Sequence, residues 1–301
     1  MILSRFFPVV LLALSETSFA WTNWVGVLED WPVPADTKIT AISSQDTANQ
    51  NTVTDDKKIT QEYEARVRPL FVRIDKKSWQ AAPRLQDKNA VLPLPKALSW
   101  DVCFSGRSDG QLTAMLRTDE QSAITPPYML RAEDRAPWRT RRSSDYAGWL
   151  ETPVYKPILL KSSLNSSCAD PQKWRQAGVE KSRSHLKNMI AALRKKMASP
   201  EDVKDFYDFK DADVKIKRTW ASTTSGLVVS IQTLPKTRRT ETFHILKNGD
   251  IHHLGTDMLL IDAGDFDGDG QAEMLFKRHT DKKDIYDLYS DTKHLAESVW
   301  D

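Results

Sequence analysis

Beyond residue 20 the sequence has no apolar run of the roughly 20 residues that a membrane-spanning helix needs, so the chain reads as not membrane-spanning. It has no His-Glu-x-x-His and no glycine-rich phosphate loop, and with these go the local signatures of a zinc protease and a nucleotide enzyme. Net charge is only +2, and no aromatic-basic motif of known type is present, so nucleic acid is not an expected partner. Cysteine is scarce, with Cys103 and Cys168 alone in 301 residues. A chain of this length can build one large or two ordinary domains whose core stands without staples. The apolar share, 40%, is slightly low for a globular chain, although ten Trp are generous.

The first twenty residues differ from the rest. Arg5 supplies a positive end, Phe6 to Leu14 an apolar run, and Ser18-Phe19-Ala20 a small-x-small cleavage site. Residues 1–20 therefore read as a signal peptide, with the mature chain starting at Trp21 and the protein periplasmic or secreted. The alternative is a buried N-terminal strand. No Cys follows the cleavage site, so no lipid anchor is expected there. The small net charge hides an asymmetry: residues 1–199 carry +8 and residues 200–301 carry −6, which suits a dipolar molecule or a contact between the two parts.

The strongest chemical signal is Asp265-Phe-Asp-Gly-Asp-Gly-Gln-Ala-Glu273. Acids stand at loop positions one, three, five and nine. Calcium takes six to eight oxygens at roughly 2.3–2.6 Å, and alternate side chains of a curled loop can converge to supply them. The expected metal ligands are the side chains of Asp265, Asp267, Asp269 and Glu273 and the carbonyl of Gln271, with Gly268 and Gly270 permitting the turns. A helix–loop–helix calcium hand is excluded, because it needs Glu at position twelve, where Phe276 stands. Short apolar runs flank the loop, Met258 to Ile261 and Met274 to Phe276, and these are strand signals.

From Gly264 to Leu275 the pattern Gly-Asp-Phe-Asp-Gly-Asp-Gly-x-x-Glu-x-Leu resembles the calcium loop of the FG-GAP or VCBS-like repeats of integrin-type β-propellers. The resemblance covers about one repeat. It implies a structural calcium ion tying a strand-to-strand loop. The chain is also similar to an uncharacterised family of exported bacterial proteins, through Ser99-Trp-Asp-Val-Cys-Phe-Ser-Gly106, Pro153-Val-Tyr-Lys-Pro157, Tyr207-Asp-Phe-Lys-Asp-Ala-Asp213 and the calcium loop. That likeness implies architecture and compartment only.

The remaining segments complete a mainly β (α+β) reading. Its parts are an N-terminal β-rich region at 21–169, a helical insert at 170–210, and a C-terminal antiparallel β region, blade-like, at 211–301. Trp24 to Leu28 is an expected strand. Glu64 to Ile74 is another, with Pro69 marking an edge or a break, and Ser43 to Thr60 reads as an exposed polar loop. Trp100 to Phe104 and Gln111 to Leu116 form a hairpin across Ser105 to Gly110. Val154 to Leu160 is a further strand. Arg131 to Arg142 reads as a solvated loop or as a patch for anionic polymer. Asp170-Pro171 is expected to start a helix running to about Ala198, with Leu186, Ile190, Leu193 and Met197 as its apolar stripe. A short second helix follows Ser199. Seven strands then run from Val214 to Tyr289, with Lys247-Asn248-Gly249-Asp250 as a two-residue hairpin turn.

Other chemistry is weaker. The two-residue turn sets His244 opposite His253, beside His252. The pair is either a transition-metal site or wet-face polar residues. Asp281, Asp284 and Asp287 read as a solvated loop rather than a glycosidase pair. In an oxidising compartment Cys103 and Cys168 form a possible disulfide closing about 65 residues, and the alternative is a buried thiol. The functional expectation is a non-catalytic binding or envelope-associated module, with envelope polysaccharide or protein as its partner. The rival is a secreted polysaccharide-acting hydrolase that grips sugar with Trp.

Overall fold

The computed structural model describes residues 22–32, 63–74, 78–87, 92–104, 106–117, 126–131, 158–161, 168–197, 210–233, 240–280 and 283–300. The expected signal peptide, the polar loop at 43–60, nearly all of the Arg-rich stretch and the helix after Ser199 lie outside them. The described residues are mainly β, in three antiparallel sheets with one α-helix.

The N-terminal sheet contains β1 (Thr22–Pro32), β2 (Tyr63–Ile74), β3 (Gln80–Ala81), β4 (Ala97–Cys103), β5 (Ser108–Leu116), β6 (Tyr128–Leu130) and β7 (Ile158–Lys161). Its order is β1-β7-β4-β5-β6-β2-β3, and β1 pairs with β2 as well, so the sheet curls back on itself. Trp24, Leu28, Val67, Trp100, Leu112 and Tyr128 fill the inside. The outer faces of β1 and β2 are equally dry, because Val25, Val27, Leu70 and Phe71 pack in a second cluster against the C-terminal strands.

Simple alternation puts Val67, Pro69 and Phe71 on one face. The ladder instead slips between Val25↔Phe71 and Gly26↔Pro69, leaving Leu70 as an extra residue that turns Phe71 outward. Pro69 lies between the residues that pair with β6 and those that pair with β3, so its missing N–H breaks no ladder bond there.

The second sheet has the order β12-β11-β10-β9-β8. Its strands are β8 (Arg175–Ala177), β9 (Val214–Ser222), β10 (Gly226–Thr233), β11 (Thr240–Leu246) and β12 (Ile251–Thr256). The third is β13 (Met258–Gly264), β14 (Glu273–His279), β15 (Asp284–Ser290) and β16 (Lys293–Trp300), in sequence order. Helix α1 (Leu186–Met197) covers one face of the second sheet, with Met189, Ile190 and Leu193 against Val229, Ile231, Phe243 and Ile245. Through Trp220 and Val228 the other face meets Met258, Leu260, Met274 and Phe276 of the third sheet. The third sheet's far face, Ile261, Leu275, Tyr286 and Leu288, meets β1 and β2. Being dry on both faces, β13 and β14 have continuous apolar sequences.

Two local expectations are corrected. Asp170 does not cap a helix. Its carboxylate accepts the amides of Gln172 and Trp174, and this tight turn leads into β8, which pairs with β9. An Asp-Pro pair serves such a turn as well as a helix start. The helical segment starts later, with a 3₁₀ turn at Val179–His185 leading into α1. The β11–β12 hairpin also has a three-residue turn, since Leu246 donates to Asp250 and Gly249, at φ 91°, donates back to Leu246. A left-handed Gly at the end of a three-residue loop shifts the register by one from the two-residue form.

Candidate metal centre

The eight residues between Gly264 and Glu273, which are themselves partners, connect β13 to β14. Phe266 pulls the loop inward: it is wholly buried, in the same apolar cluster as Leu275 and the two cysteines. With Phe266 anchored, the residues on either side turn the other way. Gly268 and Gly270 take φ of 75° and 87°, the left-handed region where a Cβ is costly, and they curl the chain around the acids.

The curl brings Asp265, Asp267 and Asp269 together. One carboxylate oxygen from each lies within 4.8 Å of the others, so the three could hold a metal ion. Backbone amides fix the rotamers. Gly270 N–H donates to Asp265 Oδ2 at 3.1 Å, Asp269 N–H to Asp267 Oδ1 at 3.1 Å, and Gln271 N–H to Asp269 Oδ1 at 2.7 Å. Asp265 Oδ1 is buried and has no hydrogen-bond partner. A carboxylate oxygen removed from water without a donor is costly, and a cation is the natural complement.

Glu273, the first residue of β14, is buried, and its Oε2 accepts the Phe266 amide at 2.7 Å. It braces the loop from beneath and stands outside the close trio. Burial, followed by the nearby charge of Asp267, pushes its carboxyl up to about 9. Burial also raises Asp265, reinforced by Asp269. For Asp267 the same upward push from burial is opposed by the Arg73 guanidinium. Gln271 exposes its side chain at the end of the turn. Oxygen donors crowded in this way could hold a metal ion.

Three contacts tie the loop to distant chain, and none has a sequence signal. Arg73 on β2 forms an ion pair with Asp267. Asn23 Nδ2 on β1 donates to Phe266 O at 3.3 Å. The Asp265 amide donates to Ala169 O at 3.1 Å, next to Cys168, which is bonded to Cys103. Spacing reveals a loop whose ligands are local in sequence. It cannot reveal a brace supplied from about 100 or 200 residues away.

The other candidates separate. His244 pairs with His252, and His253 with Phe243. His244 is buried against Trp174 with its Nδ1 toward Asp291 O, and burial lowers its pKa. His253 lies against the Phe243 ring, between buried Glu241 at 2.6 Å and Lys196 Nζ at 2.8 Å. The two therefore do not converge on one metal. Asp284 and Asp287 are on β15 and not in a solvated loop, Asp284 pairing with Lys277 and buried Asp287 with Arg278 and His294. Asp281 lies outside the described residues. No described helix is long and apolar enough to cross a membrane.

Compared with family models, with curated proteins and with solved structures, the chain matches none of them.

Proposed function

We propose that this is an exported protein whose C-terminal β region carries one structural calcium ion at Asp265, Asp267 and Asp269, with Gln271 and Glu273 as the supporting residues of the loop. The observation that carries this reading is the convergence of three carboxylates, one of which, Asp265, also has a buried oxygen, Oδ1, without a hydrogen-bond partner. All the donors are oxygens, and extracellular calcium modules fill at about 10⁻⁴–10⁻³ M. The FG-GAP or VCBS-like resemblance gains support from topology. The strands β9–β12 and β13–β16 are consecutive four-strand meanders packed face to face, as propeller blades are, and the loop joins the first two strands of the second. The Cys103–Cys168 bond supports export, because disulfides persist in oxidising compartments.

The activity we propose is that of a non-catalytic binding or envelope-associated module. Among the described residues, Trp24, Trp79, Trp100, Trp174, Trp220 and Trp300 are all buried, so they serve packing and offer no ring to a sugar. This favours the module over the hydrolase, with envelope polysaccharide or protein as the partner class. Calorimetric titration with calcium chloride tests the metal. We expect one site on the wild type and none on Asp269→Asn; heat-silent wild type would remove the calcium reading. Cell fractionation with N-terminal sequencing tests export. A cytoplasmic chain that still starts at Met1 would contradict it.

A further inference from the structure

We propose that the Cys103–Cys168 disulfide and the metal loop are two halves of one redox-linked device: the bound cation protects the disulfide from reduction, and the intact disulfide strengthens cation binding. The inference rests on the calcium reading above and adds its regulation.

The coupling runs through three consecutive residues. Cys168 is bonded to Cys103 at the end of β4. Ala169 O accepts the amide of Asp265, the residue with the partnerless buried oxygen. The Asp170 amide donates to Gly106 O, and the Gly106 amide donates to Asp262 Oδ2, both at 3.4 Å. Segment 168–170 is thus stitched to the β4–β5 turn on one side and to the β13–β14 loop on the other. Below the stitching, both cysteines share one apolar cluster with Phe266, the residue between Asp265 and Asp267.

Neither sulfur is accessible in the closed form, with Cys103 at 2% and Cys168 at 4% exposure. A reducing thiolate reaches them only after segment 168–170 lifts. Lifting breaks the Asp265–Ala169 bond and loosens the packing around Phe266. A cation clamped between Asp265, Asp267 and Asp269 raises the cost of that opening. Linkage makes the effect reciprocal: whatever factor the cation imposes on the thiol–disulfide equilibrium, the disulfide imposes on cation affinity.

The reductant is a dithiol. Its thiolate bonds to one protein sulfur as the protein S–S bond breaks and the other sulfur leaves as thiolate. The second thiol of the reductant then displaces the first protein sulfur and closes its own disulfide. The protein gains two electrons and two protons, and the dithiol loses them.

The test uses the oxidised full chain and dithiothreitol, with thiols counted by maleimide alkylation over time, in excess calcium or in chelator. We expect reduction at least tenfold slower in calcium, and no calcium effect in Asp269→Asn. Calcium affinity in the Cys103→Ser/Cys168→Ser double variant should fall by about tenfold. Equal reduction rates in a protein that binds calcium by calorimetry would overturn the coupling and leave the metal site standing. Equal rates with no binding heat would overturn both. The rate comparison needs no substitution, so a double variant that failed to fold would not blunt it.

Discussion

Asp269 is the exposed member of the carboxylate trio, and the bond its carboxylate accepts, from Gln271 N–H to Oδ1, would survive replacement by Asn. Asp269→Asn should therefore remove calcium binding yet leave the stability in chelator within about 0.5 kcal/mol of wild type. Asp267 differs, because its other oxygen meets Arg73 and its side chain is 8% exposed. Asp267→Asn should cost about 1–3 kcal/mol even in chelator, through loss of a charge-assisted bond. Thermal melts of the two variants in chelator check this, and equal losses would contradict it. The spacing of the acids made the trio legible, whereas the unequal duties of its members depend on Arg73 and were not.

Glu273 gives a pH dependence of defined sign. Its carboxyl titrates near 4.5 when unfolded and is pushed up to about 9 when folded. The folded chain holds that proton more tightly, so this contribution is full below about pH 4.5 and is lost as pH rises towards about 9. In chelator, stability should fall between about pH 7 and about pH 9, and calcium should offset the fall by favouring the ionised acid. Glu273→Gln keeps an acceptor for the Phe266 amide and should flatten the chelated profile. Buried His244, lowered from 6.5, acts with the opposite sign as pH falls below that value, so the alkaline side isolates Glu273. Denaturant titrations at three pH values would measure both slopes.

At the scale of elements, strands were read from apolar runs and turns from Gly, Asn and Asp, and errors arose where one residue shifts a register. The Asn248-Gly249 turn was visible, but its length was not, and one extra residue sends His244 and His253 to opposite faces. Leu70 does the same in β2. β16 lacks a sequence signal because Lys293 to Glu297 has little β-branched or aromatic character, whereas its ladder with β15 and the burial of Ala296, Ser298 and Trp300 on one face hold it in the sheet. The three-residue turn makes its own prediction. Gly249→Ala should cost about 1–2 kcal/mol, since an L-residue resists the left-handed conformation, and Gly249→Asn should cost less. Equal stability of all three proteins in urea would contradict a left-handed Gly249.

At the scale of the molecule, four layers share their contacts: α1, the β8–β12 sheet, the β13–β16 sheet, and the curled sheet. Mainly β architecture was legible because period-two runs and turn residues are local. The stacking was not, because Tyr286 to Glu29, Arg68 over Trp300 and Arg73 to Asp267 are contacts of high sequence separation between residues of unremarkable spacing. The 65-residue span of the disulfide gives roughly 4 kcal/mol of loop-closure stabilisation, so its removal should lower stability by about that amount before any metal effect. Denaturation of oxidised and reduced protein in chelator would measure it.

The melting curve of wild type and Asp269→Asn, each in calcium and in chelator, tests the central claim most directly. With calcium at about ten times its dissociation constant, binding to the folded state alone adds about 1.4 kcal/mol, a rise of roughly 2–3 °C for a chain of this size. The account predicts that rise in the wild type and its absence in the variant. Four coincident curves would contradict it.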